Sequence, residues 1–520
     1  MGNTRMSSRI FDGAILRTSS LFAASLLILL VFLVVFVLIR GGDYFWPEPL
    51  YRLHYQSHQQ EPEQQVFAEL RRVSHTESGI EWRFSISSAE QITSHALFIT
   101  QDQITKRELA PDAYRIFLDD GTKILANLLY IHGPDNTQMA VGDFDDVRQS
   151  ALTLSEDINH IREGELADIH QQLAELNLRG VESDAPAVKK LTDRFYLLDA
   201  QVTKLQQEQA QYQLQLALAD GSKMTVPVFE VRNLEQPNQH SVFGKLLMAG
   251  ENLLHFLFDS PRQFGQAGGV YPALFGTVLM VLLMTIIVTP IGVLAAIYLH
   301  EYAPNNWVTA LLRVSVNNLA GVPSVVYGVF GLGFFVYTLG SGIDELLFSE
   351  YLPTPTLGSP GLFWASLTMA MLTLPVVIVA TEEGLRRVPD GLRLGSYALG
   401  ATRAETIWRT VVPMASPGIM TGVILAIARG AGEVAPLILV GAVKYAPSLP
   451  IDTEFPFLHL ERQFMHLGAL IYDGAFHSQN FGQGSPFMFA ACLLLLLIVF
   501  ALNMCAVGIR VKLRRLYGQN

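Results

Sequence analysis

Residues 381–436 read TEEGLRRVPDGLRLGSYALGATRAETIWRTVVPMASPGIMTGVILAIARGAGEVAP. The punctuation of this stretch decides the fold. A polar, arginine-rich segment stands between two apolar runs. Pro389 disfavours helix in the residue before it, so a break is expected there. Asp390 is placed to cap a new helix running through Leu399. Gly400 falls where a helix end needs a left-handed residue, which glycine takes without steric cost. Thr402 and Glu405 have capping-box spacing and start a second helix. That helix runs towards Pro413, and Pro417-Gly418 is expected to bend the chain into the next span. The reading is a helix-turn-helix knob outside a membrane, joined at both ends to spanning helices. Spacing alone leaves an ordinary polar loop as the alternative.

The flanks support a membrane setting. Half of the 520 residues are hydrophobic, and mean hydropathy is +0.30. Six apolar spans are predicted, at 21–39, 271–299, 308–339, 362–380, 419–443 and 487–509. The first has 19 uncharged residues, about enough to cross the hydrocarbon core. It is longer than a usual signal-peptide core, and Arg40-Gly41-Gly42-Asp43 has no small-x-small cleavage pattern, so a retained helix is expected. Charge sets the orientation. Arg5, Arg9 and Arg17 precede the first span. Segment 382–412 holds Arg386, Arg387, Arg393, Arg403 and Arg409, and the tail carries Arg510, Lys512, Arg514 and Arg515. Segment 340–360 has Asp344, Glu345 and Glu350 with no Lys or Arg. The positive-inside rule then puts residues 1–20 and 512–520 in the cytoplasm, and 40–265 and 444–486 outside. Tyr44, Phe45 and Trp46 suit the outer interface.

The domain expected at 40–265 is α+β. Residues 43–262 contain about 33 acidic against about 19 basic residues, more than the whole net charge of −11. That balance argues against nucleic acid or an anionic membrane surface as its partner. Residues 114–118, Asp120-Gly121 and the apolar run after them read as a β-hairpin, as do 213–219, Asp220-Gly221 and 223–231. Segments 154–178 and 187–216 show helical periodicity through Ile158, Ile161, Leu166, Ile169, Leu173 and Leu176, which predicts a helical hairpin broken at Glu182-Ser183-Asp184-Ala185-Pro186. Cys492 and Cys505 lie about 20 Å apart along one helix and cannot pair within it.

The coupling stretch also carries a resemblance. After Gly400 come nine residues and then Thr410-Val411-Val412-Pro413, with Leu394, Gly395 and Ser396 where a Glu-Ala-Ala triplet would stand. Tyr397-Ala398-Leu399-Gly400-Ala401-Thr402, Gly432-Glu433-Val434-Ala435-Pro436-Leu437 and 318–328 (NLAGVPSVVYG) extend it. From about residue 268 onward the chain resembles the A-type permease subunits of phosphate ABC importers, although their triplet glutamate is absent. The resemblance implies an all-α polytopic membrane protein of six transmembrane helices with the type I ABC importer permease fold, carrying the α+β domain between its first two helices. It implies a membrane domain at 266–511 with a cytoplasmic coupling loop at 382–418, in a bacterial inner membrane. Ser396, Tyr397, Ala398, Leu399, Gly400, Ala401 and Thr402 would dock an ATP-binding subunit dimer. The other implied partners are a second, PstC-like permease subunit, a periplasmic phosphate-binding protein and inorganic phosphate itself.

The chain has no phosphate-binding Walker loop, no His-Glu-x-x-His pair and no Gly-x-Ser-x-Gly elbow. No cofactor or metal is therefore expected on it, and ATP with magnesium belongs to the partner. The charges inside the apolar spans remain. Arg429 lies about 15 Å into the span predicted from residue 419, with Glu433 one turn on. Either the two form a structural ion pair, or Arg429 lines an anion path, since a guanidinium suits phosphate oxygens. Asn317, Asn318, Ser324 and Tyr327 add polar groups where Gly321 and Pro323 interrupt a span, which reads as a packing kink or as pore lining. Arg313 is expected to snorkel, and Glu382 and Glu383 to be solvated. Transport of another oxyanion, sulfate or molybdate, and a membrane-anchored scaffold or sensor are the alternative functions.

Overall fold

Helix α1, Gly2–Asp43, contains the predicted first span and runs a turn past it. The computed structural model describes residues 2–56, 62–76, 79–88, 94–120, 122–134, 137–178, 185–259, 269–347, 349, 355–446, 448–453, 455–476 and 484–517. Gly121, Glu182, Ser183, Asp184 and Glu350, named above, lie outside them. The chain forms two units, Met1–Phe45 with Asn252–Asn520, and Trp46–Glu251.

The Trp46–Glu251 unit has two antiparallel sheets. The first was not foreseen. It contains β1 (Leu50–Tyr55), β2 (Gln64–Thr76), β3 (Gly79–Ser87), β4 (His95–Thr100) and β5 (Ile104–Leu109), ordered β4-β3-β2-β1-β5. Next come β6 (Ala113–Leu118), β7 (Lys123–His132) and β8 (Gln138–Met139). Helix α2 (Phe144–Asn159) continues through a wide turn into α3 (Ala167–Leu178), and α4 (Pro186–Gln209) returns. Ile158, Ile161, Leu166 and Ile169 pack against Leu198 and Val202, as their periodicity predicts. Helix α4 ends before residue 216, because 213–217 pair in a sheet instead. Strands β9 (Gln213–Ala217), β10 (Lys223–Pro227) and β11 (Val231–Glu235) complete the order β10-β9-β7-β6-β11.

Both predicted hairpins are present, and their turns share one chemistry. Asp120 Oδ1 accepts from the Thr122 amide and hydroxyl at 2.7 and 2.6 Å. Asp220 Oδ1 accepts the same pair from Ser222 at 2.9 and 2.6 Å. The hairpins meet through β7 and β9, the second strand of one and the first of the other.

A buried ion cluster joins the sheets. Arg115 on β6 pairs with Glu69 on β2 at 3.1 Å and with Glu235 on β11 at 2.9 Å. Arg71 and Lys123 also pair with Glu69. Burial works to raise the Glu69 carboxyl, but Arg115, Arg71 and Lys123 together outweigh it and hold the group well below the usual carboxylate range.

The membrane unit continues with α5 (Val242–Phe258), whose last residues belong to it, and α6 (Tyr271–Ile297). Then come α7 (Trp307–Leu319), α8 (Ser324–Phe330), α9 (Ser341–Leu347), α10 (Leu362–Arg386), α11 (Asp390–Ala398), α12 (Arg403–Thr406), α13 (Val412–Gly432), α14 (Ala435–Val440), β12 (Ala442–Val443), β13 (Phe464–Met465), α15 (Leu467–Phe476) and α16 (Gly484–Tyr517). Strands β12 and β13 form a short parallel pair, so this unit is not wholly α. Among the described residues, six helices are long and apolar enough to cross a membrane: Thr18–Asp43, Tyr271–Tyr302, Ser324–Leu347, Leu362–Arg386, Arg403–Gly432 and Pro486–Lys512.

Two predicted spans are displaced. The third begins at Ser324, because Pro323 cannot continue a helix and 307–319 form a helix of their own. The fifth ends at Gly432 instead of 443. Pro436 has no amide for the Gly432 carbonyl, so the chain opens at Glu433-Val434 and Pro436 enters the first turn of α14, where proline is tolerated. At Pro417-Gly418, where the sequence predicts a bend into the next span, the chain is already inside a continuous helix. A wide turn at Ile407–Val411 precedes α13, which then runs unbroken through Pro413 and Pro417. Gly418 instead serves packing, since a Cβ there would lie 2.5 Å from the Gly384 Cα on α10. Gly422 similarly faces Ala380. Small residues let the two backbones touch.

An aromatic clasp holds the chain on both sides of the second unit. Phe45 stacks edge-on to Phe256 at 5.3 Å, Tyr44 meets Phe256 at 5.6 Å and Phe487 at 5.8 Å, and Asn252 donates to the Phe45 carbonyl at 3.4 Å. Replacing 47–250 by a short glycine linker should leave membrane insertion intact. Deleting 47–262 removes Phe256 and should cost about 3–5 kcal/mol, seen as a lower midpoint in thermal size-exclusion analysis. Glu69→Gln should cost a similar ~3–5 kcal/mol by stranding buried cations, read as lost amide-exchange protection in β6 and β7. The sign with pH follows. The Glu69 contribution is complete above its ordinary pKa of 4.5 and is lost as pH falls below that value.

Candidate functional site

The knob forms as its sequence directs. Gly400 has φ +87°. Its amide bonds the Tyr397 carbonyl at 2.9 Å and the Ala401 amide bonds the Ser396 carbonyl at 3.2 Å, a complete Schellman end for α11. The Thr402 amide donates to Glu405 Oε2 at 2.9 Å and the Glu405 amide to Thr402 Oγ1 at 3.3 Å, closing the capping box. Ser396 and Thr406 hydroxyls meet at 2.8 Å and tie α11 to α12. One detail differs: Pro389 takes the cap position of α11, and Asp390 is its first helical residue, spending its carboxylate on Arg393 at 2.8 Å. Leu394, Tyr397 and Leu399 stand exposed, with Leu399 at 91%. The knob therefore presents an apolar tip.

The second group lies at two helix breaks. Helix α8 follows the break at 320–323, and α14 follows the break at Glu433-Val434. The two short helices pack so closely that a Cβ on Gly328 would sit 2.7 Å from the Pro436 Cα. Arg429 is in the last turn of α13, not ten residues into a span as its predicted start implies. Its Nε lies 3.6 Å from Glu433 Oε1. The side chains are 31% and 25% exposed, and Leu425, one turn earlier, is exposed too. Ser324 opens α8, half-buried. Tyr327 is buried, and its hydroxyl donates to the Leu319 carbonyl at 2.7 Å, bridging the break. Asn317 and Asn318 are exposed at the end of α7 and outside the third span.

One charge noted in the sequence differs from expectation: Glu382 is not solvated. Arg313, 40% exposed, donates to the Leu299 carbonyl at 2.8 Å and lies 3.8 Å from Glu382. Glu382 is accordingly largely buried, whereas Glu383 is exposed beside Arg387. Sequence reasoning passed over Glu301 and the particular roles of Arg393 and Arg403. Arg393 donates to Glu301 Oε1 at 3.0 Å, and the Arg403 guanidinium lies 4.9 Å from the Tyr302 ring centre. One signal was available. A carboxylate at the C-terminal end of a helix is disfavoured by the helix dipole and calls for a cation. Among the described residues, no cluster of three or more His, Cys, Asp or Glu is placed to hold a metal ion.

Residues 288–514 match the family described as binding-protein-dependent transport system inner membrane component. The chain is 37% identical to the phosphate transport system permease protein PstA 1 of Mycobacterium tuberculosis over 251 residues, 48% of this chain and 72% of that one. It belongs to the PstA permease family. PstA of Yersinia pestis is 33% identical over 49% of this chain and 77% of its own length. Among solved structures, the inward-facing MetNI methionine ABC transporter is similar over 46% of this chain and 94% of that chain, at 17% identity and a TM-score of 0.33. As a PstA-family member, the chain is a multi-pass membrane permease subunit and not an enzyme.

Thr402→Ala should destabilise the knob by about 1 kcal/mol, and Gly400→Val by more, because valine resists positive φ. Both should show as faster proteolysis confined to 390–406.

Proposed function

We propose that this chain is one membrane half of an ATP-driven importer of inorganic phosphate. The PstA relatives carry the substrate assignment. The observation on this chain that favours it is the pair of packed helix breaks, with half-exposed Arg429 and Glu433 at one of them. Interrupted helices beside a charged group are a common way to build a translocation site.

In this reading Arg429 meets the phosphate oxygens and Glu433 holds or releases the guanidinium. Ser324 and Asn318 line the adjoining path. Tyr327 maintains the break, since its hydroxyl is already bonded to Leu319. A second, PstC-like permease covers the open face at Leu425, Arg429 and Glu433 and completes a type I ABC importer pore. Residues 396–402 dock an ATP-binding subunit dimer, which carries the ATP and magnesium. A periplasmic phosphate-binding protein delivers the anion. Both chain ends face the cytoplasm of a bacterial cell, the protein sits in the inner membrane, and the Trp46–Glu251 unit is periplasmic.

The test is radiolabelled phosphate uptake in phosphate-starved cells of the native host lacking other phosphate importers. Deleting this chain should abolish uptake, and the intact chain should restore it. Arg429→Ala should assemble normally yet lower uptake about a hundredfold, the scale of losing a charged contact of roughly 3 kcal/mol. Wild-type uptake by that variant would reject the pathway role. Phosphate uptake unaffected by the deletion, with uptake of labelled sulfate or molybdate lost instead, would reassign the solute.

A further inference from the structure

The knob is covalently joined to α10 and α13, but its side chains grip a third helix. Arg393 on α11 is 13% exposed and fully engaged through its two terminal nitrogens. Nη1 donates to the Val388 carbonyl at 2.9 Å and to Asp390 at 2.8 Å. Nη2 donates to the Leu385 carbonyl and to Glu301 Oε1, both at 3.0 Å. Glu301 is itself 9% exposed. Arg403, on the other knob helix, donates to the Glu301 carbonyl and lies over the Tyr302 ring. Both knob helices thus hold Glu301, where the α6 span ends, and Arg403 also covers Tyr302. A planar guanidinium with four fixed acceptors is an orienting device, because rotation about one bond breaks the others.

The other end of α6 is also engaged. A Cβ on Gly276 would lie 2.2 Å from the Met465 carbonyl, and the Leu467 amide donates to Thr277 Oγ1 at 2.9 Å. Segment 464–467 lies after the break between α13 and α14. The helix Tyr271–Ile297, with Pro290 inside it, continues through a wide turn at Tyr298–Tyr302 and so connects the knob with that segment.

We propose that α6 is a lever driven by the knob, and that Arg393 is the positioning residue that locks it there through Glu301. When the ATPase moves the knob, α6 moves with it and carries segment 464–467. Packing along α10, with Gly292 against Val377, couples the body of α6 to that helix, and the Arg393 grip ties down its knob end. The lever rests on the importer reading for its motor, but the grip does not depend on which anion is carried.

Two measurements on the complete importer in proteoliposomes test it. The first places nitroxide labels at Tyr298 and Leu392, both exposed and outside the docking residues 396–402, in the intact chain and in Arg393→Ala. One narrow distance distribution, the same before and after ATP–vanadate trapping, is expected for the intact chain, and a broadened one for the variant. A distance that changes on trapping in the intact chain, or stays narrow in the variant, overturns the lever. The second measures phosphate transported per ATP hydrolysed. Arg393→Ala and Glu301→Ala should each lower this ratio about tenfold, and Arg393→Lys, which keeps a charged donor for Glu301, should lose less. An unchanged ratio in both alanine variants also overturns the lever. An intact complex that hydrolyses ATP but moves no phosphate overturns the solute assignment and leaves the distance result to decide the lever.

Discussion

The backbone contact of α10 with α13 at Gly384 and Gly418 is the constraint on which the membrane unit depends. Lipid chains are as apolar as leucine, so helices in a membrane gain little by hiding apolar surface from each other. Close approach must supply the attraction instead, through many short dispersion contacts. A methyl group at either glycine would part the helices. The knob is the connection between these two helices, so its ends are fixed by how closely they cross. Helix α10 is also the most enclosed of the spans, and α6 lies along it, with Gly292 against Val377.

The second unit solves a different problem by different means. Its sheets carry ordinary apolar cores around Phe84 and Ile116. Between them sit carboxylates and guanidinium groups out of water, which apolar residues could replace at little or no cost in stability. Glu69 takes three cations at once, which fixes β2 relative to β6 and β7. The cluster specifies one pairing of the sheets more than it strengthens it.

Local chemistry was legible in the sequence and long-range geometry was not. The left-handed Gly400, the Thr402–Glu405 box, both Asp-Gly turns and the stripe through Ile158 and Ile161 depend on a few neighbouring residues, and each is found where expected. Span ends failed where proline effects depend on context. Pro417 predicts a bend, yet α13 is continuous through it and begins at Val412. Pro436 was passed over, although it is what opens the chain at Glu433. The sheet of β1 to β5 was missed because its strands mix polar and apolar residues and have few marked turns. At the candidate site, the Arg429–Glu433 pair was readable from spacing. The Tyr327–Leu319 bond and the Arg393–Glu301 pair were not, since no periodicity links residues 92 positions apart.

The clasp of Phe45, Asn252 and Phe256 has a consequence for how such a chain could arise. Within the membrane unit, the residues just before and just after Trp46–Glu251 touch, so the chain leaves and re-enters this unit at one point, as it would around a tight turn. Closure entropy grows only with the logarithm of loop length, so the helix bundle is almost indifferent to what fills the gap. Recombination at this junction could add, drop or exchange an entire domain while leaving the packing of the helices untouched. The permease core and the acidic unit are then free to evolve on separate clocks.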